Sequence, residues 1–246
     1  MEDHGLRLRL QPRARVAGLL YLVIIVLGIF DEIFVRGRVI VSGDAAATAQ
    51  NILTHELLYR LGFAAGLVVL FCAVIVALLL FDFLRVVDES LARLAVFFNL
   101  VSISLEAVGW LGHFAPLILL GGGKYTASVP AEELRALSYI SLRMQSVGYD
   151  VSLAFFGCFC VVIGVVIFRS TFLPRIIGVL MSIAGLCYVT NSFAGFIAPT
   201  FRNSMLPFIL LPCLIGEGAL CLWLLVKGVN VERWKTRAST TYTLGA

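Results

Sequence analysis

Six stretches of the chain, at about 16–36, 57–84, 93–121, 137–168, 176–199 and 204–227, run for about twenty residues or more with few charges. A helix needs about 20 apolar residues to cross a hydrocarbon core of ~30 Å, and backbone in lipid must satisfy its own hydrogen bonds. The expected fold is therefore all-α: a polytopic integral membrane protein, a bundle of six transmembrane helices. The spans take up most of the chain, so residues 1–246 are expected to form a single transmembrane domain with the lipid bilayer as its first partner. Composition agrees, with 60% hydrophobic and 14% charged residues and a mean hydropathy of +0.99. No room is left for a soluble domain, and nothing points to a nucleic-acid partner.

Basic residues orient such a bundle, because cytoplasmic loops collect Lys and Arg. With the N-terminus inside, that side holds twelve: Arg7, Arg9, Arg13, Arg15, Arg85, Arg93, Arg169, Arg175, Lys227, Arg233, Lys235 and Arg237. The other side holds five: Arg36, Arg38, Lys124, Arg135 and Arg202. Both termini are expected in the cytoplasm and the protein in the plasma membrane. The net charge of +4 follows from this bias. The basic start and the apolar run 16–30 have the flanks of a signal peptide. The nearest A-x-A, in "DAAATA" (44–49), lies far beyond that run, so the segment is expected to stay as a helix.

All six cysteines, at 72, 158, 160, 187, 213 and 221, fall within the apolar spans, where Cys acts as a small hydrophobe. C-x-C at 158–160 directs its sulfurs to opposite sides of a helix, so neither a disulfide framework nor a metal or other cofactor is expected. Two outer connections are longer than the rest. In 36–56, Ser42 or Asp44 is placed to cap a short helix that runs into the second span. In 121–137, a glycine break precedes Ser128, Pro130 and two acids, a helix-start pattern. Each is either an ordinary connection or a lid. The last residues, "STTYTLGA", read as a polar tail. Pro207 and Pro212 bracket the start of the sixth span.

The strongest chemical signal is "FNLVSISLEAVGWLGHF" (98–114), which keeps Asn99, Ser102, Glu106 and His113 on one helical face. Charged groups at the bilayer centre cost at least about 2.5–3.5 kcal/mol, so this face is expected to turn away from lipid. Similar stripes occur in the first span (Gly18, Tyr21, Ile25, Gly28, Glu32), the fourth (Tyr139, Arg143, Ser146, Asp150) and the fifth (Gly185, Tyr188, Asn191 or Ser192, Gly195). Glu217 stands between Gly216 and Gly218, a pattern of close packing or of a helix opened around a ligand. Gly62-x-x-x-Gly66 and Gly178…Gly185 read as packing positions. Asp31 and Asp82, near span ends, are expected to reach the interface, and His113 to be a hydrogen-bonding wall residue rather than a metal ligand.

The candidate interior thus comprises Glu32, Arg60, Asn99, Glu106, His113, Arg143, Asp150, Asn191 and Glu217, with Arg60 and Arg143 at an outer lip. Glu106, Asp150 and Glu217 are expected to line one outward-facing cavity, and Arg143 to find Glu32 or Glu106 on another span. Two arginines do not balance four carboxylates, so either some acids carry protons or a cation joins them.

"ARVAGLLYLVIIVLGIF", "GDAAATAQNILTHELLYRLGF" (43–63) and "VSLAFFGCFCVVIGVVIFRSTFLPRIIGVLMSIAGLCY" (151–188) resemble the bacterial domain of unknown function family 4386. The resemblance implies one six-helix membrane unit and carries no activity and no site residue.

Three function classes stay open. The polar interior ties the helices together, as in a structural or accessory protein acting through a homodimer or another membrane partner. Alternatively, it binds or transports a small cationic, zwitterionic or lipid-headgroup ligand, with proton coupling. An intramembrane enzyme ranks last: H-E-x-x-H, G-x-S-x-G and D-x-x-x-[DN] are all missing, and "VGYD" (147–150) has no companion G-x-G-D. No residue is assigned as catalytic.

Overall fold

The structure, a computed structural model, describes the backbone of residues 2–206 and 208–244 and the side chains of 10–206 and 208–240. Pro207 lies outside the described residues, as do the side chains of Arg7 and Arg9 and the final two residues of the expected polar tail.

The described residues are mostly helical, joined by short turns. α1 (Glu2–Phe30) passes into a π-helical turn, Asp31–Arg36, and a short α2 (Gly37–Val39). Then come α3 (Ala45–Thr54), α4 (Glu56–Leu84), α5 (Glu89–Leu120), α6 (Ala131–Arg169), α7 (Arg175–Ile197) and α8 (Pro199–Met205). A 3-10 turn, Phe208–Leu210, leads into α9 (Leu211–Val226), and α10 (Val231–Leu244) follows. Six segments are long and apolar enough to cross a membrane: Leu10–Val39, Glu56–Leu84, Glu89–Leu120, Ala131–Arg169, Arg175–Ile197 and Phe208–Val226. No strand occurs among the described residues. The protein is an all-helical, multi-pass membrane protein.

Local chemistry sets the boundaries. Asp44, rather than Ser42, caps α3 by accepting the Ala47 N–H at 2.8 Å. Gly122, at φ +68°, supplies the left-handed residue just past α5. The helix-start pattern at Ser128, Pro130 and the two acids is where α6 begins, at Ala131 directly after Pro130, so this helix extends outward beyond the span expected from 137.

Two stretches at or beyond the ends of the expected spans are helices. Residues 199–205 form α8: Ala198 breaks α7 with φ −142° and ψ 68°, and Pro199 is pre-set for a first helical turn. The C-terminal stretch belongs to α10, because Asn230 caps it by accepting the Arg233 N–H at 3.1 Å. Val231 and Ala238 bury one α10 face, and the Trp234 indole donates to the Phe83 carbonyl at 3.0 Å.

The chain divides into two compact units, one comprising Met1–Val23, Cys72–Ile103 and Asp150–Ala246, the other Ile24–Phe71 and Ser104–Tyr149. In the first, α6 and α7 touch backbone to backbone through paired glycines. A Cβ on Gly164 would lie 2.6 Å from the Gly178 carbonyl, and one on Gly157 would lie 2.7 Å from that of Gly185. Gly18 meets the α9 backbone and Gly216 the α7 backbone in the same way. Helix association in lipid lacks a hydrophobic drive and depends on such close approach. The second unit has its own core of Val35, Val39, Ile52, Tyr59 and Leu142. There the Trp110 indole covers Gly66, and Val35 packs on Gly62, so the G-x-x-x-G seats side chains rather than another helix backbone.

Candidate functional site

The first unit holds two clusters of polar groups inside its spans. In one, Asp150 of α6 receives a two-point contact from Arg202 of α8, Nη1 to Oδ2 at 2.8 Å and Nη2 to Oδ1 at 2.7 Å. The guanidinium also donates from Nε to Asn191 Oδ1 of α7 at 3.3 Å. Gly195 leaves room for the arginine, since a Cβ there would come within 3.0 Å of Nη1. The planar fork of arginine matches a carboxylate and needs no water to complete it. Asn191 is buried at 2% exposure and Asp150 at 9%.

In the other cluster, Glu217 of α9 is held by two phenols. Tyr21 of α1 donates to Oε2 at 3.1 Å, and Tyr188 of α7 donates to Oε1. Gly216 brings α9 onto the Leu180 carbonyl, while Gly218 faces open space, so only the first of the flanking glycines is a close-packing position. Tyr188 and Asn191 are one turn apart on α7, and that single helix contributes to both clusters. Between α5 and α6, Ser102 and Ser152 share a hydrogen bond of 2.9 Å, and the Ser152 hydroxyl also reaches the Ser102 carbonyl at 3.1 Å. Asn99 is buried one turn earlier.

The second unit is arranged differently. Arg36, in the π-helical turn, donates to Gln145 Oε1 at 2.9 Å and Ser146 Oγ at 3.2 Å, and lies 3.2 Å from Glu32. His113 is buried at 1% exposure, its ring stacked on Tyr59 with centroids 4.2 Å apart. The Tyr59 hydroxyl donates to the His113 carbonyl at 2.5 Å. Among the described residues neither ring nitrogen of His113 has a hydrogen-bond partner, so the expected hydrogen-bonding wall residue is held by stacking instead, and Asp31 Oδ1, enclosed near Gly62, has none either. Asp31 as a whole is partly exposed, with this one oxygen enclosed. Glu106 is partly buried one turn before Trp110.

Of the nine candidates, Asn99, Asp150, Asn191 and Glu217 belong to the first unit, and Glu32, Arg60, Glu106, His113 and Arg143 to the second. Asp150 and Asn191 meet through Arg202. Three candidates face outward: Glu32, whose side chain is 76% exposed, Arg60, which pairs with Glu56 at 2.7 Å, and Arg143. Arg143 makes no ion pair among the described residues. The expectation that it would meet Glu32 or Glu106 is corrected by Arg36, which takes Glu32, Gln145 and Ser146. The physical cause is the π-helical turn: its wider spacing rotates residues 31–36 away from the 3.6-residue register of α1. Arg202, Tyr21 and Tyr188 complete the two clusters. The tyrosines lay on the polar stripes, whereas nothing in the α8 sequence announced Arg202 as more than a loop charge.

Among the described residues no group of three or more His, Cys, Asp or Glu is placed to hold a metal ion. A family model described as a domain of unknown function, DUF4386, matches residues 16–228. The chain belongs to this family. The matched DUF4386 region takes in both polar clusters and ends at Gly228, just before α10. No curated protein and no solved structure matches the chain.

Proposed function

We propose that this DUF4386 protein is a structural or accessory membrane protein of the plasma membrane, with both termini in the cytoplasm, acting through a second copy or another membrane partner. One observation carries the reading: each oxygen of the two buried acids of the first unit already accepts a hydrogen bond from a fixed protein donor, Asp150 from Arg202 and Glu217 from Tyr21 and Tyr188. Both acids are thus engaged by neighbouring helices before any ligand is present. On this reading the polar groups fix which helices meet, as buried polar pairs do in other bundles.

A thermal-shift screen of the full chain in mild detergent, with small amines and amino-acid zwitterions over a range of pH, tests it. The expected result is no saturable stabilisation that depends on Asp150 or Glu217. A saturable shift abolished by Glu217→Gln would overturn the reading.

A second reading, binding of a small polar ligand, draws on the second unit, where the ring nitrogens of buried His113 and the enclosed Oδ1 of Asp31 have no hydrogen-bond partner among the described residues. It expects a saturable shift that survives Glu217→Gln and is lost in His113→Phe.

A further inference from the structure

Where the last span gives way to α10, residues from α1, α9, the Lys227–Asn230 connection, the start of α10 and the connection between α6 and α7 enclose a cavity of about 270 Å³. Its chemistry is mixed in an ordered way. Phe172 and Val229 form a buried apolar wall. Gln11 uses its amide N–H₂ on the Val229 carbonyl at 2.7 Å, which leaves Oε1 enclosed with no donor among the described residues. The Trp223 indole N–H is likewise enclosed with no acceptor among them. At the rim, Lys227 and Glu232 are both exposed, and neither enters an ion pair or side-chain hydrogen bond among the described residues. Gly228, at φ +69°, keeps the floor open to Gln11, because a Cβ there would overlap Oε1.

The cavity therefore offers a cation and an N–H donor (Lys227, Trp223) together with an anion and a carbonyl acceptor (Glu232, Gln11). A simple anion such as inorganic phosphate would leave Glu232 and Gln11 unmatched. A quaternary ammonium would leave Gln11 unmatched, since it has no N–H to give. The complement is a zwitterion with a phosphate at one end and a primary ammonium at the other. Its source is indicated by depth. The span Phe208–Val226 ends one residue before Lys227, which puts the cavity at the edge of the hydrocarbon. On the same helix, Leu222 and Val226 are exposed at 56% and 63%, an apolar track for acyl chains leading to the rim.

We propose that this cavity holds the headgroup of a phospholipid bearing a primary ammonium, a phosphoethanolamine. The phosphate meets Lys227 and the Trp223 indole, and the ammonium meets Glu232 and Gln11. The site lies apart from the polar clusters described above and does not depend on their role.

Native mass spectrometry of the full chain, released from mild detergent after titration with dioleoyl phosphatidylethanolamine, phosphatidylcholine or phosphatidylglycerol, tests the proposal. The expected result is a one-to-one adduct with the ethanolamine lipid, favoured over the other two by roughly fivefold or more. Lys227→Gln should weaken retention of all three lipids. Glu232→Gln should erase the preference for ethanolamine over glycerol headgroups. Trp223→Phe, which keeps the ring and loses only the N–H, should weaken retention without lowering the melting temperature. Equal retention of the three lipids, or unchanged retention in Lys227→Gln, would overturn the proposal. Soluble glycerophosphoethanolamine displacing the lipid at equal concentration would overturn the membrane source, because the acyl track would then contribute nothing.

Discussion

Arg202 is the residue whose removal should be most costly for its position. It sits on the seven-residue helix α8, yet it makes two bonds of 2.8 and 2.7 Å to Asp150 and a third of 3.3 Å to Asn191. Removing one partner of a fully buried ion pair costs about 3–5 kcal/mol. Here the Arg202 side chain keeps 26% exposure and that of Asp150 12%, so water screens part of the interaction. The expected loss is about 2–3 kcal/mol for Arg202→Gln, and similar for Asp150→Asn. A double-mutant cycle isolates the pair, with unfolding followed by circular dichroism as SDS is titrated into bicelles. The two changes should couple by about 1.5–2 kcal/mol, well above the ~0.6 kcal/mol typical of interhelical hydrogen bonds in membranes. Arg202→Lys, which keeps the charge and loses the fork, should fall between parent and Gln variant. Coupling below about 0.5 kcal/mol would mean that α8 is not anchored through this pair, and would refute the reasoning.

Gly164→Ala should destabilise the protein by about 1–3 kcal/mol in the same unfolding assay, since its Cβ meets the Gly178 carbonyl, whereas Gly148→Ala, with nothing within 4 Å, should be neutral or slightly stabilising. Arg36→Gln should cost about 1–2 kcal/mol and Arg143→Gln less than about 0.5 kcal/mol, reversing the order that helical spacing suggests. Alkaline phosphatase fused at Gly43 or Gly122 should be active and a fusion after α10 inactive. A cytoplasmic signal at Gly43 would contradict the proposed orientation.

The spans were legible because hydropathy over twenty residues is an average that single side chains hardly disturb. Their polar stripes were legible for a related reason: Tyr21, Tyr188, Asn191 and Asp150 fall at helical steps, so the face that carries them follows from α-helical geometry. What fails is the identity of partners. Arg202 reads as a loop charge until Ala198 and Pro199 are seen to start a new helix beside Asp150. Glu32 and Arg36 exchange roles because one π-helical turn shifts register, and no simple residue pattern announces such a turn. The α6 glycines Gly157 and Gly164 give no sign of their role in the sequence beyond a seven-residue spacing that mirrors that of Gly178 and Gly185. A glycine in an apolar span shows its purpose only when the opposing backbone is known. That α10 runs on into the polar tail follows from Asn230 as its cap and from the spacing of Val231, Trp234 and Ala238.

Whether the polar interior of the first unit is closed can be measured at Glu217. Cys213 and Cys221 lie four residues before and after it on α9, and each is 1% exposed. In native membranes, variants that retain only one of these two cysteines can be treated with a small methanethiosulfonate from either side. The structural account predicts no modification of either thiol until denaturant is added. Prompt modification from one side, slowed by a soluble amine, would show a water-filled cavity around Glu217 and contradict it.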